Sequence, residues 1–174
     1  KGDKVFVYGK PTGRNYQFLS SGITQRKFPV TKIGVLLNPI YLFLILFISQ
    51  PHLCLTLGKQ VWQNSKSWSQ FLHRLCRILP PLLDNLDIFH IQWAKMLVEY
   101  PEFVEGLNCP IVLSLRGTHI NVSPVINEKL AISYRQYFPK LNGFHAVSRA
   151  IGKETEKYGA DINKITVINP AVNE

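Results

Sequence analysis

The stretch from Asp87 to Asn121 constrains the fold most. It reads DIFHIQW, then a segment of helical length, then CPIVLSLRGTHIN. Ile88–Ile91 and Ile111–Leu115 are continuous β-rich runs. Two such runs joined by a helical length predict a parallel sheet buried on both faces. Each run also ends in polar residues that suit a ligand better than a core. Gln92 and Trp93 follow the first; Arg116, Gly117, Thr118, His119 and Asn121 follow the second. In open α/β sheets, ligands sit at the carboxyl ends of the strands.

The same alternation continues downstream. Lys95 to Gly106 reads as a helix made irregular by Pro101, and Cys109 to Leu115 as the second strand. Ser123-Pro124 is a cap-plus-proline start. The helix it opens runs to about Phe138, with Ile126, Leu130 and Tyr134 on one face. Gly143–Val147 is a third strand. Ser148 caps a helix over Arg149–Tyr158, Gly159 closes it as a left-handed C-cap residue does, and Lys164–Ile168 is a fourth strand. Regular strand–helix alternation predicts an open α/β sheet with right-handed crossovers.

The first half is more helical. Lys4–Tyr8 is a short β-rich run closed by the turn residues Gly9, Pro11 and Gly13. Residues 14–31 read as loop with at most one weak strand. Ile33 to Ile48 is the most apolar stretch, split by Asn38-Pro39, which reads as N-cap and first helical residue of a helix from about Pro39 to Ser49. Three environments fit that helix: a buried core, a membrane span, which needs about 20 apolar residues, or an outer face resting on a membrane surface, with Lys27 and Lys32 just before it. Pro51–Trp62 and Ser67–Leu83 read as two further helices. In the second, Trp68, Phe71, Leu72, Leu75, Ile78 and Leu79 form one buried face, His73, Arg74 and Arg77 the solvated side, and Pro80-Pro81 an end or kink.

Composition narrows the partners. The 174 residues suffice for a single domain with its own core, read here over 1–174. Lys and Arg number 20 against 11 Asp and Glu, a net charge of +9. That balance favours anionic partners: nucleotide phosphates, an acidic membrane surface or nucleic acid. With no Lys/Arg block, nucleic acid ranks last. Cys54, Cys76 and Cys109 give neither a disulfide framework nor zinc spacing, so no structural metal is expected and a reducing, cytoplasmic setting fits best. The sequon at Asn121-Val122-Ser123 carries no weight without secretion.

Taken in series, DIFHIQW, PIVLSLRGTHIN and FHAVSRAIGKETEKYGADINKITVINPAVN resemble the N-terminal domain of GT-B glycosyltransferases of the group 1, retaining type. The match covers roughly residues 84–174. Upstream, only Gly2-Asp3-Lys4-Val5 resembles the family's second strand. The resemblance implies a Rossmann-like, mostly parallel sheet flanked by helices. It implies that the family's first strand and glycine-rich loop would precede Lys1, and that a nucleotide-sugar domain with an E-x7-E motif would follow Glu174. The chain then reads as a fragment that is inactive alone. His119 departs from the family's usual Asp, and Arg116 stands where many members have His.

The implied activity is transfer of a sugar from a nucleotide-sugar donor to a glycan or lipid-linked acceptor. The donor is a co-substrate and no cofactor is implied. The setting is the cytoplasm, with peripheral attachment at the inner face of the membrane as an extension. Negative charge builds on the leaving phosphate, so fixed cations and amide donors are needed there. Arg116 supplies a planar fork of donors, and His119 can carry a proton or bind a sugar hydroxyl. Trp93 offers a flat apolar face, Gly117 close backbone approach, Thr118 and Asn121 uncharged polar contacts, and Ser148 a helix start suited to an anion. Each has a plainer alternative: Arg116 an ion pair with a helix carboxylate, His119 a structural hydrogen bond, Trp93, His90 and His145 core packing, Ser148 a cap only. A second class stays open, a non-catalytic Rossmann-like binding module. A dinucleotide oxidoreductase is remote, because G-x-G-x-x-G is absent.

Overall fold

A computed structural model describes residues 3–9 and 23–169 of the chain. The turn read at Pro11 and Gly13, most of the loop read over 14–31, the start of the match at Gly2 and the terminal segment Pro170–Glu174 lie outside the described residues. The fold is α/β with parallel strands in two small sheets, in two compact units, Lys1–Asn85 and Leu86–Glu174.

In the first unit, β1 (Val5–Gly9) pairs in parallel with β2 (Ile23–Lys27). Three helices follow: α1 (Lys32–Ser49), α2 (Pro51–Gln63) and α3 (Trp68–Leu83). The start expected at Asn38-Pro39 is corrected. The cap is Thr31, whose hydroxyl accepts from the Gly34 N–H at 3.1 Å, and Pro39 lies inside the helix. Pro39 has no N–H to offer the Val35 carbonyl four residues back. The Cys76 thiol of α3 reaches that carbonyl at 3.7 Å. A tertiary contact thus offsets a local break. Burial pushes the Cys76 thiol up to about 11, as suits a packing residue.

The buried-core reading of α1 is also corrected. Only Val35, Pro39 and Leu46 are buried, and 17% of its apolar window is covered. Ile33, Leu37, Ile40, Tyr41, Leu44 and Ile48 form an exposed stripe at three- and four-residue spacing. Helix α3 runs through Pro80-Pro81 to Leu83 rather than ending there. Leu72, Leu75, Ile78 and Leu79 are buried as expected, but Arg74 is buried too, and Trp68 is exposed. Trp68 stacks on Phe71 at 5.1 Å, and both meet Trp62 edge-on. Gly58 permits the close approach of α1 and α2, because a β-carbon there would stand 3.1 Å from the Phe43 ring.

In the second unit, the order along the chain is β3 (Phe89–Ile91), α4 (Lys95–Glu99), α5 (Glu102–Gly106), β4 (Ile111–Leu115), α6 (Gly117–Asn121), α7 (Ser123–Ile126), α8 (Glu128–Tyr137), β5 (Gly143–Ala146), α9 (Arg149–Thr155) and β6 (Ile165–Val167). The four strands are parallel and lie in sequence order. Pro101 splits the first helical segment as expected. Short α6 was not expected, since GTHIN has no apolar period. The helix foreseen from Ser123 breaks at Asn127, whose side chain caps α8 by accepting from the Leu130 N–H at 3.2 Å, and Ile126 faces solvent. Ser148 caps α9 and Gly159 adopts φ 82°, both as expected.

Strand register sorts the side chains. Ile91, Leu113 and Phe144 are register partners and share a face with Leu115 and Ala146, all buried. Tyr134, Phe138, Leu141, Ile151 and Tyr158 complete that core. The opposite face is not the apolar layer expected of a sheet buried on both sides. It carries His90, Ser114 and His145, with Gln92 and Arg116 continuing the two-residue alternation.

Candidate functional site

The carboxyl ends of β3 and β4 bring three of the expected residues together. The Arg116 guanidinium carbon lies 4.8 Å from the centre of the Trp93 ring. The Trp93 and His119 rings meet edge-on at 5.0 Å. The Arg116 Nη2 donates to Gln92 Oε1 at 3.4 Å. Arg116 is exposed, and it forms no ion pair among the described residues. A cation over an aromatic face gains about 0.5–1 kcal/mol when exposed. The stack therefore holds the guanidinium without neutralising it.

Helix α6 positions His119. Its N–H donates to the Arg116 carbonyl at 3.1 Å, and its own carbonyl accepts from the Tyr134 hydroxyl at 3.2 Å. These bonds hold the His119 backbone, and its ring meets Trp93. Gly117 is the first residue of α6. A β-carbon there meets nothing nearer than Ile151 Cδ1 at 3.9 Å, so packing does not require glycine at this position. Thr118 and Asn121 are exposed on α6, and the Thr118 carbonyl accepts from the Ser123 hydroxyl at 3.1 Å. Ser148 is engaged as the cap of α9, accepting from the Ile151 N–H at 3.3 Å.

The residues missed by sequence reasoning are Gln92 as a partner of Arg116, and Ser114. The Ser114 hydroxyl, buried at 2% exposure, lies 2.9 Å from His90 Nε2 and 3.2 Å from His145 Nδ1. Gln92 Nε2 lies 3.4 Å from His90 Nδ1, and His145 Nε2 lies 3.4 Å from the Ile168 carbonyl oxygen. Desolvation and the neighbouring His145 hold His90 below the usual histidine range. The signal in the sequence was a lone serine amid apolar residues, two residues before Arg116. Among the described residues no cluster of three His, Cys, Asp or Glu side chains could hold a metal ion.

No family model, curated protein or solved structure matches the chain.

Proposed function

We propose that this chain is the acceptor-side, Rossmann-like domain of a retaining GT-B glycosyltransferase, using a nucleotide-sugar donor and a glycan or lipid-linked acceptor. The observation that carries the reading is Arg116: an exposed guanidinium with no ion pair among the described residues, fixed on Trp93 at a strand's carboxyl end. Such a group suits the charge that builds on a leaving diphosphate. His119 lies within the same wall, where it can hydrogen-bond a sugar hydroxyl or carry a proton. Gly117 supports the reading because its own surroundings leave room for a side chain. Gly117→Ala is expected to leave stability equal or higher, by up to about 1 kcal/mol, while weakening donor turnover. A thermal melt and a transfer assay check the two halves. The reading as a whole is tested by incubating the protein that contains this chain with nucleotide sugars and lipid-linked acceptors. Acceptor-dependent release of nucleoside diphosphate is expected; no turnover with any donor would count against it.

An acidic membrane surface is the partner we assign to the first unit. Residues 1–85 hold 11 Lys and Arg against Asp3 and Asp84, whereas residues 86–174 hold nine of each sign. All of the net charge therefore lies with the exposed stripe of α1 and the exposed Trp62 and Trp68. Arg26 pairs with Asp84, one of the two acids. Apolar side chains with a cationic surround suit an anionic bilayer surface. Helix α1 packs on α2 and α3, so crossing the bilayer would draw in His73, Arg74 and Arg77. The chain is expected to sediment with anionic vesicles and not with neutral ones. Leu37→Glu with Leu44→Glu should weaken that binding by at least about 100-fold, at roughly 1.5–3 kcal/mol per side chain. Equal sedimentation with neutral vesicles would overturn the assignment.

A further inference from the structure

The polar face of the second sheet carries a run of hydrogen bonds whose direction can be deduced. Arginine donates and never accepts. The Gln92 oxygen therefore faces Arg116, and its NH2 group faces His90. An amide NH2 only donates, so His90 Nδ1 accepts and the His90 proton sits on Nε2. That Nε2–H donates to Ser114 Oγ at 2.9 Å. The serine's single hydrogen is then free for His145 Nδ1 at 3.2 Å. His145 keeps its proton on Nε2 and donates to the Ile168 carbonyl at 3.4 Å. Both ends are fixed, one by a group that cannot accept and one by a group that cannot donate. Every hydrogen between them runs from Arg116 towards Ile168, and any other tautomer of either histidine breaks a bond.

A made hydrogen bond adds only about 0.5–1.5 kcal/mol net, so stability alone does not call for a buried hydroxyl between two imidazoles. What the arrangement secures is the orientation of Gln92. Without Ser114 Oγ, His90 is free to move its proton to Nδ1, and the Gln92 amide can then turn. Its NH2 would face the guanidinium, and Arg116 would lose its anchor. We propose that His90, Ser114 and His145 are positioning residues, a polarised hydrogen-bond relay that orients Gln92 so that Arg116 is presented to an anionic diphosphate. This rests on the phosphate-facing reading of Arg116 given above.

Two measurements on the 174-residue chain test it. The first is 15N NMR of labelled histidine near pH 7.5. His90 and His145 should each show the Nε2–H tautomer; the Nδ1–H tautomer at either overturns the relay, whatever the chain binds. The second is a double-mutant cycle with inorganic pyrophosphate, comparing wild type, Ser114→Ala, Arg116→Ala and the double variant. Ser114→Ala should weaken binding about five-fold, but have no effect in the Arg116→Ala background. Ser114→Thr, which keeps the hydroxyl, should restore most of the loss. Gln92→Leu, at an exposed site, should reproduce it even where Ser114→Ala disturbs folding. A loss of equal size in both backgrounds marks Ser114 as merely structural and overturns the proposal, as does unchanged binding in Ser114→Ala and Gln92→Leu. Pyrophosphate bound equally well by Arg116→Ala would instead defeat the phosphate-facing reading, and the proposal with it.

Discussion

Phe138→Ala is expected to cost the second unit about 3–5 kcal/mol, the range for removing a large buried aromatic side chain. Phe138 is 1% exposed. It stacks on Tyr134 at 4.7 Å and meets Phe144 and Tyr158 edge-on at 5.6 and 6.3 Å. Phe144 belongs to β5, so the cavity would open between the helical layer and the sheet. Against a typical total stability of about 5–15 kcal/mol the loss is large. Urea unfolding followed by circular dichroism should show a lower midpoint, and a midpoint equal to wild type would contradict this packing. Tyr134→Phe separates packing from hydrogen bonding at the same place. It removes only the hydroxyl that donates to the His119 carbonyl. The expected cost is about 1 kcal/mol, together with a shift of the His119 ring signals.

The parts of the fold that could be read in advance were those set by local chemistry. Ser67, Ser148 and Gly159 act through their own backbone neighbours, and each does what its residue type suggests. The strands at Ile111–Leu115 and Gly143–Ala146 are short apolar runs with turn residues beside them. Pro39 was misread because the outcome depended on Cys76, 41 residues from Val35. Proline inside a helix is tolerated there because another helix meets the freed carbonyl. Helix α1 was read first as core because apolar content says how much surface seeks cover, not whether the fold supplies it. Ile126 was placed on a buried face by carrying one period across Asn127, where the chain starts a new helix.

The site was legible in the same partial way. Arg116, Trp93 and His119 stood out as polar or aromatic residues just beyond apolar runs, and the structure brings them together. Ser148 looked like a cap and is one. The relay was not foreseen, because it needs the register of three strands. His90, Ser114 and His145 lie 24 and 31 residues apart, and only the pairing of β3 with β4 and of β4 with β5 makes them neighbours.

Arg116→Ala has the largest expected effect on activity. Removing one preorganised donor from a developing anion typically costs about 100- to 1,000-fold in kcat. Arg116 sits in that position under the proposed reading, with its charge held on Trp93 and its Nη2 on Gln92. Arg116→Lys should recover only part of the loss, since an ammonium keeps the charge but neither the planar fork nor the stack. Under that reading the direct measurement is kcat for sugar transfer by the protein that contains this chain, wild type against Arg116→Ala, with circular dichroism showing both folded. A fall of at least about 100-fold is expected; an unchanged kcat would show that Arg116 does not stabilise the leaving group.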